Sequence, residues 1–266
     1  MKTKYLLVTI VLFMAIPSCQ RLSLLPGEEI LFEEDFNEYP DGSRLPSGWW
    51  CEGSKAVRIE KGHLRADANP DGSGEDYEAC TVWLNKEFSG NIRIEFDAHV
   101  LASEGDKNNI NFFLFFSDPS GKSLYDTRDE RADGKYGKYH ELNGYVFTFL
   151  ANGNPQEARF RMRDDPGFGL LEENYAYECR KSKTYHITIK KNSNRITYEV
   201  DGTVYLDAVD NTANPEHTAG IIGFRTWRTE MWWDNLRVIR LPSTGRLAAE
   251  GGFSNEEFAY DVEHEE

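Results

Sequence analysis

The feature that most constrains this chain is strict two-residue alternation of apolar and polar side chains, repeated in short runs that turn signals separate. In residues 91–100, Ile92, Ile94, Phe96, Ala98 and Val100 fall on one face, while Arg93, Glu95, Asp97 and His99 fall on the other. Successive side chains of a strand point to opposite faces, so this run reads as a half-buried strand. Residues 57–60 and 63–66 repeat the pattern around Lys61-Gly62, as do 185–190 and 195–200 around residues 191–194. Asp201-Gly202 then supplies a tight turn into residues 203–207. Residues 110–117, INFFLFFS, are apolar on both faces and belong in the middle of a sheet that is covered on both sides. No amphipathic helix interrupts the series. The expected fold is therefore all-β, a two-sheet antiparallel β-sandwich.

Length and charge bound the rest. A chain of 266 residues suits one large β domain, and a formal net charge of −15 repels polyanions at long range, so binding of nucleic acid by bulk electrostatics is excluded. The start reads as a targeting segment: Lys2 and Lys4 precede an apolar run over residues 5–16, and Ile16-Pro17-Ser18-Cys19 has the form of a bacterial lipobox. Residues 1–18 are expected to be a lipoprotein signal peptide, with Cys19 lipidated and contact with the membrane made through that lipid only. The protein is then expected at the bacterial cell envelope, on its periplasmic or surface face. Residues 19–29 read as a tether, 30–241 as the folded domain, and 242–266 as an acidic disordered tail. Three cysteines remain in an oxidising compartment. One disulfide with one thiol over is expected, and Cys51 with Cys80 is preferred over Cys179 because both lie in the N-terminal third.

The expected working surface lies in residues 140–163, HELNGYVFTFLANGNPQEARFRMR. Alternation puts Arg159, Arg161 and Arg163 on one face of a strand, and the preceding run groups Asn143 and Tyr145 on one face, with His140 in the loop just ahead. On so acidic a background a cluster of Arg is more telling than in a basic protein. Guanidinium forks match carboxylates, and imidazole titrates near neutrality, so these residues are candidates for gripping a carboxylated or hydroxyl-rich ligand. A solvated sheet face accounts for the same pattern. The charged stretch over residues 117–139 is long enough to be a binding loop.

The opening LFEEDFNEYPDGSRLPSGW, the hairpin RITYEVDGTVYLD and the closing GIIGFRTWRTEMWWDNLRVIRL resemble the concanavalin A-like lectin/glucanase jelly rolls. More narrowly, YHELNGYVFTF, ARFRMRDDPGF and FRTWRTEMWWDNLRV look like the YesU-like family. The resemblance spans about residues 30–241 and implies a concanavalin A-like jelly roll that binds a polysaccharide or oligosaccharide. Such a fold hosts lectins, hydrolases and lyases alike, so three activities are open. A lyase acting on an acidic polysaccharide implies His140 as base and Tyr145 as acid, with Asn143, Arg161 and Arg163 on the carboxylate. A glycoside hydrolase implies Glu95 and Asp97, although His99 stands where a second Glu is expected next on that face. A non-catalytic glycan-binding lipoprotein needs only stacking and hydrogen bonding, for which Arg225 and Trp227 are candidates. The resemblance also implies a structural calcium ion at Asp234 with Asp35 as a partner.

Overall fold

The computed structural model describes residues 24–242 except 54–55, 69–77, 152–156 and 158. The expected signal peptide, the lipidation site Cys19 and the tail beyond residue 242 lie outside the described residues.

Among the described residues fifteen strands follow in chain order: β1 (Glu29–Glu34), β2 (Trp49–Gly53), β3 (Val57–Glu60), β4 (His63–Asp67), β5 (Ala79–Ser89), β6 (Ile92–Ser103), β7 (Asn109–Ser117), β8 (Asn143–Leu150), β9 (Phe160–Asp165), β10 (Gly169–Asn174), β11 (Thr184–Asn192), β12 (Arg195–Val200), β13 (Thr203–Val209), β14 (Ala219–Trp227) and β15 (Thr229–Arg240). Only short 3-10 turns interrupt them among the described residues. One antiparallel sheet runs β13-β12-β11-β6-β15-β4-β3, with β1 also paired to β15, and the other runs β10-β9-β8-β7-β14-β5-β2. The chain is a two-sheet antiparallel sandwich of jelly-roll type, as its alternation requires.

The inward faces meet in one core. Ile92, Ile94, Phe96, Ala98 and Val100 of β6 lie opposite Phe112 and Leu114 of β7 and Phe147 and Phe149 of β8, all buried. A second, smaller core sits on the outer side of the β10–β2 sheet. There Trp50, Trp83, Phe113, Phe116 and Val146 are covered by Leu124, Tyr139 and Leu142 from the loop between β7 and β8. This explains why β7 is apolar on both faces: one face meets the other sheet and the other meets the loop. Gly223 allows the fit, since a Cβ there would stand 2.5 Å from the Trp83 ring.

Two strands lie where the sequence reads as loop. β2 emerges from a Gly/Pro-rich stretch and pairs with β5, and β10 emerges from DDPGFGLLEEN and pairs with β9. Both are edge strands, which take their conformation from a neighbour's free hydrogen-bonding groups more than from their own pattern.

Cys51 and Cys80 come together as thiols, with their Sγ atoms 3.4 Å apart, while Cys179 is buried elsewhere. Oxidation of this pair is expected to stabilise the fold by about 3–4 kcal/mol through closure of the intervening loop. A reductant should then lower the melting temperature of the oxidised protein by about 6–16 °C. An unchanged melting temperature with the thiols titrating free would show that the bond does not form.

Candidate functional site

A cavity of about 360 Å3 opens on the outer face of the β10–β2 sheet, beside the second core. Its floor follows from strand register. Arg161 of β9 pairs with Thr148 of β8, Thr148 with Asn111 of β7, Asn111 with Arg225 of β14, and Arg225 with Thr81 of β5. Directly opposed residues hold their Cβ atoms about 4.5–5.5 Å apart, so these form one polar row across five strands. Arg163, two residues along β9, joins the same face. Tyr136 and Phe168 wall the cavity on the loop side, and Lys107, Glu157 and the exposed Trp227 stand at the other end.

Electrostatically the cavity is the reverse of the chain. Four cationic side chains, Lys107, Arg161, Arg163 and Arg225, line it against one carboxylate, Glu157. Arg161 stands 3.9 Å from both Glu157 and Glu173. Arg163 donates to the Phe168 carbonyl at 2.9 Å and lies over the Phe168 ring, with no carboxylate in ion-pair range among the described residues. Burial, and then the neighbouring charge of Arg161, lowers its pKa. Arg225 is only 2% exposed. Its Nη1 donates to Thr81 Oγ1 at 2.6 Å and to the Gly134 carbonyl at 3.0 Å, and its guanidinium lies over the rings of Tyr136 and Tyr139. Among the described residues no carboxylate pairs with it either. A buried charge without a counter-charge is costly, and here the unused guanidinium edge borders a cavity.

The walls owe their place to Glu52. Its buried carboxylate accepts from Trp50 Nε1 (3.2 Å), Trp83 Nε1 (2.9 Å), Tyr139 OH (2.9 Å) and Arg131 Nε (3.2 Å). These bonds tie the β7–β8 loop to the sheet and so position Gly134 and Tyr136. Burial, opposed by the charge of Arg225, pushes the Tyr136 phenol up to about 12.

Of the residues expected from sequence, Arg161, Arg163, Arg225 and Trp227 line this cavity. The expected pairing of His140 with Tyr145 is corrected. Tyr145 points into the main core, fully buried, and donates to Asp210 Oδ2 at 2.6 Å. Its cross-strand partner is Asp164, not Arg163, because register puts Val146 opposite Arg163. His140 is not among the cavity's lining residues and stacks on Phe168 with ring centres 3.7 Å apart, and burial together with Arg225 and Arg163 lowers its pKa to about 4. Asn143 donates to Ser117 Oγ instead of facing the cavity. Arg159 precedes β9 and pairs with Glu178 at 3.6 Å. Tyr145→Phe is therefore expected to cost about 1–3 kcal/mol of stability, since Asp210 loses a buried donor, and to leave ligand binding unchanged. Loss of binding by a folded Tyr145→Phe protein would falsify this placement.

The hydrolase expectation is corrected as well. Glu95 and Asp97 lie on the outer face of the other sheet, across the whole sandwich from the cavity. Glu95 is paired with Arg93 at 2.7 Å and Arg237 at 3.2 Å, and Asp97 accepts from His186 Nδ1 at 2.8 Å and Asn235 Nδ2 at 2.9 Å. His99 stacks against Trp232 with ring centres 5.1 Å apart. Such ion-paired carboxylates serve the sheet face and are not presented to a substrate. Asp234 accepts from the Asn235 amide and side chain, and Asp35 accepts from the Asn37 amide. Among the described residues no group of three or more His, Cys, Asp or Glu side chains could hold a metal ion.

Sequence reading did not single out Asn111 and Tyr136. Asn111 carried a signal, since Asn109 and Asn111 are the polar residues at the head of an otherwise apolar strand. Tyr136 carried none, lying in an irregular loop.

Residues 75–236 match the family described as Domain of unknown function (DUF6250). The chain belongs to that family. No curated protein matches it in sequence. Among solved structures, this DUF6250 chain is similar to a Bacillus subtilis protein of unknown function with a galectin-like fold, at 18% identity and a TM-score of 0.64, over 80% of this chain and 97% of that one. It is also similar to the carbohydrate recognition domain of Emp46p in a potassium-bound form, at 13% identity and a TM-score of 0.55, over 77% and 94%. The exoplasmic/lumenal domain of VIP36, in a form bound to Ca2+ and Man3GlcNAc, gives 11% identity and a TM-score of 0.50, over 73% and 83%. At these identities the likeness establishes the lectin-like jelly roll and nothing about chemistry.

Proposed function

We propose that the protein binds an acidic polysaccharide or oligosaccharide in the cavity on the β10–β2 sheet. The observation that carries this reading is Arg225, a buried guanidinium that lines the cavity and has no carboxylate partner among the described residues. With Arg163 it supplies charge-assisted donors for a carboxylate, while the ring of Trp227, which has Lys107 Nζ 4.7 Å and the Arg228 guanidinium 5.1 Å from its centre, edges the cavity with apolar surface for a sugar. The carbohydrate recognition domain among the structural neighbours supports the same class of ligand. Binding without catalysis is the reading the geometry favours, because neither the His140–Tyr145 pair nor Glu95 and Asp97 meet a common substrate position. The lipobox-like run ahead of Cys19, read as the end of a leader over residues 1–18, supports attachment to the envelope, where such a module would hold polysaccharide near the cell. Incorporation of labelled palmitate that Cys19→Ala abolishes tests the anchor. For the ligand, titration calorimetry against acidic and neutral polysaccharides is decisive. Binding to acidic members is expected, and binding confined to neutral ones would overturn the charge assignment.

The site should also respond to pH. Asp165 is fully buried two residues along β9 from Arg163, its Oδ1 accepting from the Phe168 amide at 2.7 Å and its Oδ2 without a partner among the described residues. Burial pushes its carboxyl up to about 7 against the lowering effect of the Phe168 bond, with Asp164 adding to the rise. Below that value the group is neutral. Above it a negative charge appears beside Arg163 and offsets the attraction for an anion. Affinity for an acidic saccharide is therefore expected to fall as pH rises from about 6 to about 8, and to vary less in Asp165→Asn. An identical pH profile in the two proteins would exclude the role.

A further inference from the structure

We infer that the cavity selects its saccharide by a hydroxyl group set close to the carboxylate, and that Asn111 is the residue that reads this hydroxyl. The inference rests on the acidic-glycan reading above and narrows it to a chemical pattern.

Asn111 is 3% exposed, yet its Oδ1 has no hydrogen-bond partner among the described residues, and the residue lines the cavity. The amide orientation is set from below. Asn111 Nδ2 donates to Asn109 Oδ1 at 2.9 Å, and Asn109 is held in turn by its backbone: its N–H donates to Thr229 Oγ1 at 3.1 Å, and its carbonyl accepts from Thr226 Oγ1 at 2.6 Å. The nitrogen of Asn111 is thus committed to the protein and the oxygen is left over. A buried acceptor without a donor is unfavourable, and a carboxylate oxygen cannot satisfy it because both are acceptors. It requires an O–H or N–H from the ligand.

Arg225 sets where that donor must be. It is the direct cross-strand partner of Asn111, so the two side chains leave neighbouring strands on the same face of the sheet, and both line the cavity. Both protein bonds of Arg225 use Nη1, which leaves Nε and Nη2, a parallel pair of donors matched to a planar carboxylate. A ligand that meets both residues carries a carboxylate and a hydroxyl on nearby carbons. Uronic acids have that pattern. A site built to hydrogen-bond a hydroxyl rejects the analogue that lacks it, because the protein acceptor is then left unpaired.

The test is an NMR titration of the purified protein with the methyl glycosides of glucuronate, galacturonate and mannuronate, followed by the 2-, 3- and 4-deoxy forms of whichever binds best. For the wild type, one deoxy form is expected to bind about tenfold to a hundredfold more weakly than its parent. In Asn111→Ala the parent and that deoxy form are expected to bind equally, because the acceptor they differ in engaging is gone. Asn111→Ser, which keeps a polar group against Asn109 and withdraws the acceptor from the cavity, gives the same comparison should the alanine variant not fold. Equal binding of the parent and all three deoxy forms to the wild type, or discrimination kept in both variants, would overturn the inference while leaving the acidic-glycan reading intact. Binding of none of the uronates to the wild type would overturn that reading and the inference with it.

Discussion

Replacing Arg225 by methionine is expected to weaken binding of an acidic saccharide by about 30-fold or more while shifting the melting temperature by only a few degrees. The loss follows from removing a desolvated cation that meets a ligand charge, which costs about 2–5 kcal/mol in comparable buried pairs. The small effect on folding follows from the absence, among the described residues, of a carboxylate partner. Arg225 gives the fold two hydrogen bonds through Nη1 and contacts with the Tyr136 and Tyr139 rings, and against these stands the cost of burying its charge. Methionine fills much of the volume and removes that cost. Most buried residues behave in the opposite way, losing stability before function, so the contrast is diagnostic. Calorimetric titration alongside thermal unfolding checks it. Unchanged affinity would mean that the ligand lies elsewhere.

Replacing Glu52 by alanine is expected to produce the largest loss of stability among the polar substitutions considered, about 3–5 kcal/mol. Glu52 is 2% exposed and accepts from two indoles, a phenol and a guanidinium. Without it, Arg131, itself 3% exposed, keeps a buried charge without its counter-ion, and three further donors lose their acceptor. For a domain of this size the change corresponds to a fall in melting temperature of about 6–20 °C. Binding should weaken too, even well below the transition, because the same carboxylate anchors the loop that carries Gly134 and Tyr136 to the cavity. Glu52→Gln is expected to lie between, since it keeps one acceptor oxygen but sets an NH2 against groups that are themselves donors. Denaturant unfolding of both variants checks the order. A loss below about 1 kcal/mol in Glu52→Ala would show that water replaces the carboxylate and that the loop has other anchors.

Much of the scaffold is legible in the chain. β3, β4, β6, β11 and β12 are stated by alternation, because a half-buried strand must repeat every two residues wherever it sits. β7 is stated by its lack of alternation, although which segment covers its outer face is not. β2 and β10 are silent, being edge strands whose conformation comes from β5 and β9. The site divides along the same line. Arg161, Arg163, Arg225 and Trp227 are candidates from local pattern, and the structure places all four around one cavity. Tyr145, Asn143, Glu95, Asp97 and His99 carry the right chemical types and lie elsewhere.

The physical reason is parity. Alternation determines which residues of one strand share a face, and the sequence by itself determined that Arg161 goes with Arg163 and that Glu95 goes with Asp97. It contains no statement of which face of one strand aligns with which face of the next. That depends on register, and a slip of one residue exchanges the faces entirely. Only the tertiary structure decided that Arg163 stands opposite Val146 and Tyr145 opposite Asp164, which sends the tyrosine into the core and leaves the arginines outside. Only the tertiary structure, too, set Asn111 beside Arg225 from strands more than a hundred residues apart in the chain, and so brought together an acceptor and a cation that have, among the described residues, no donor and no carboxylate to meet them.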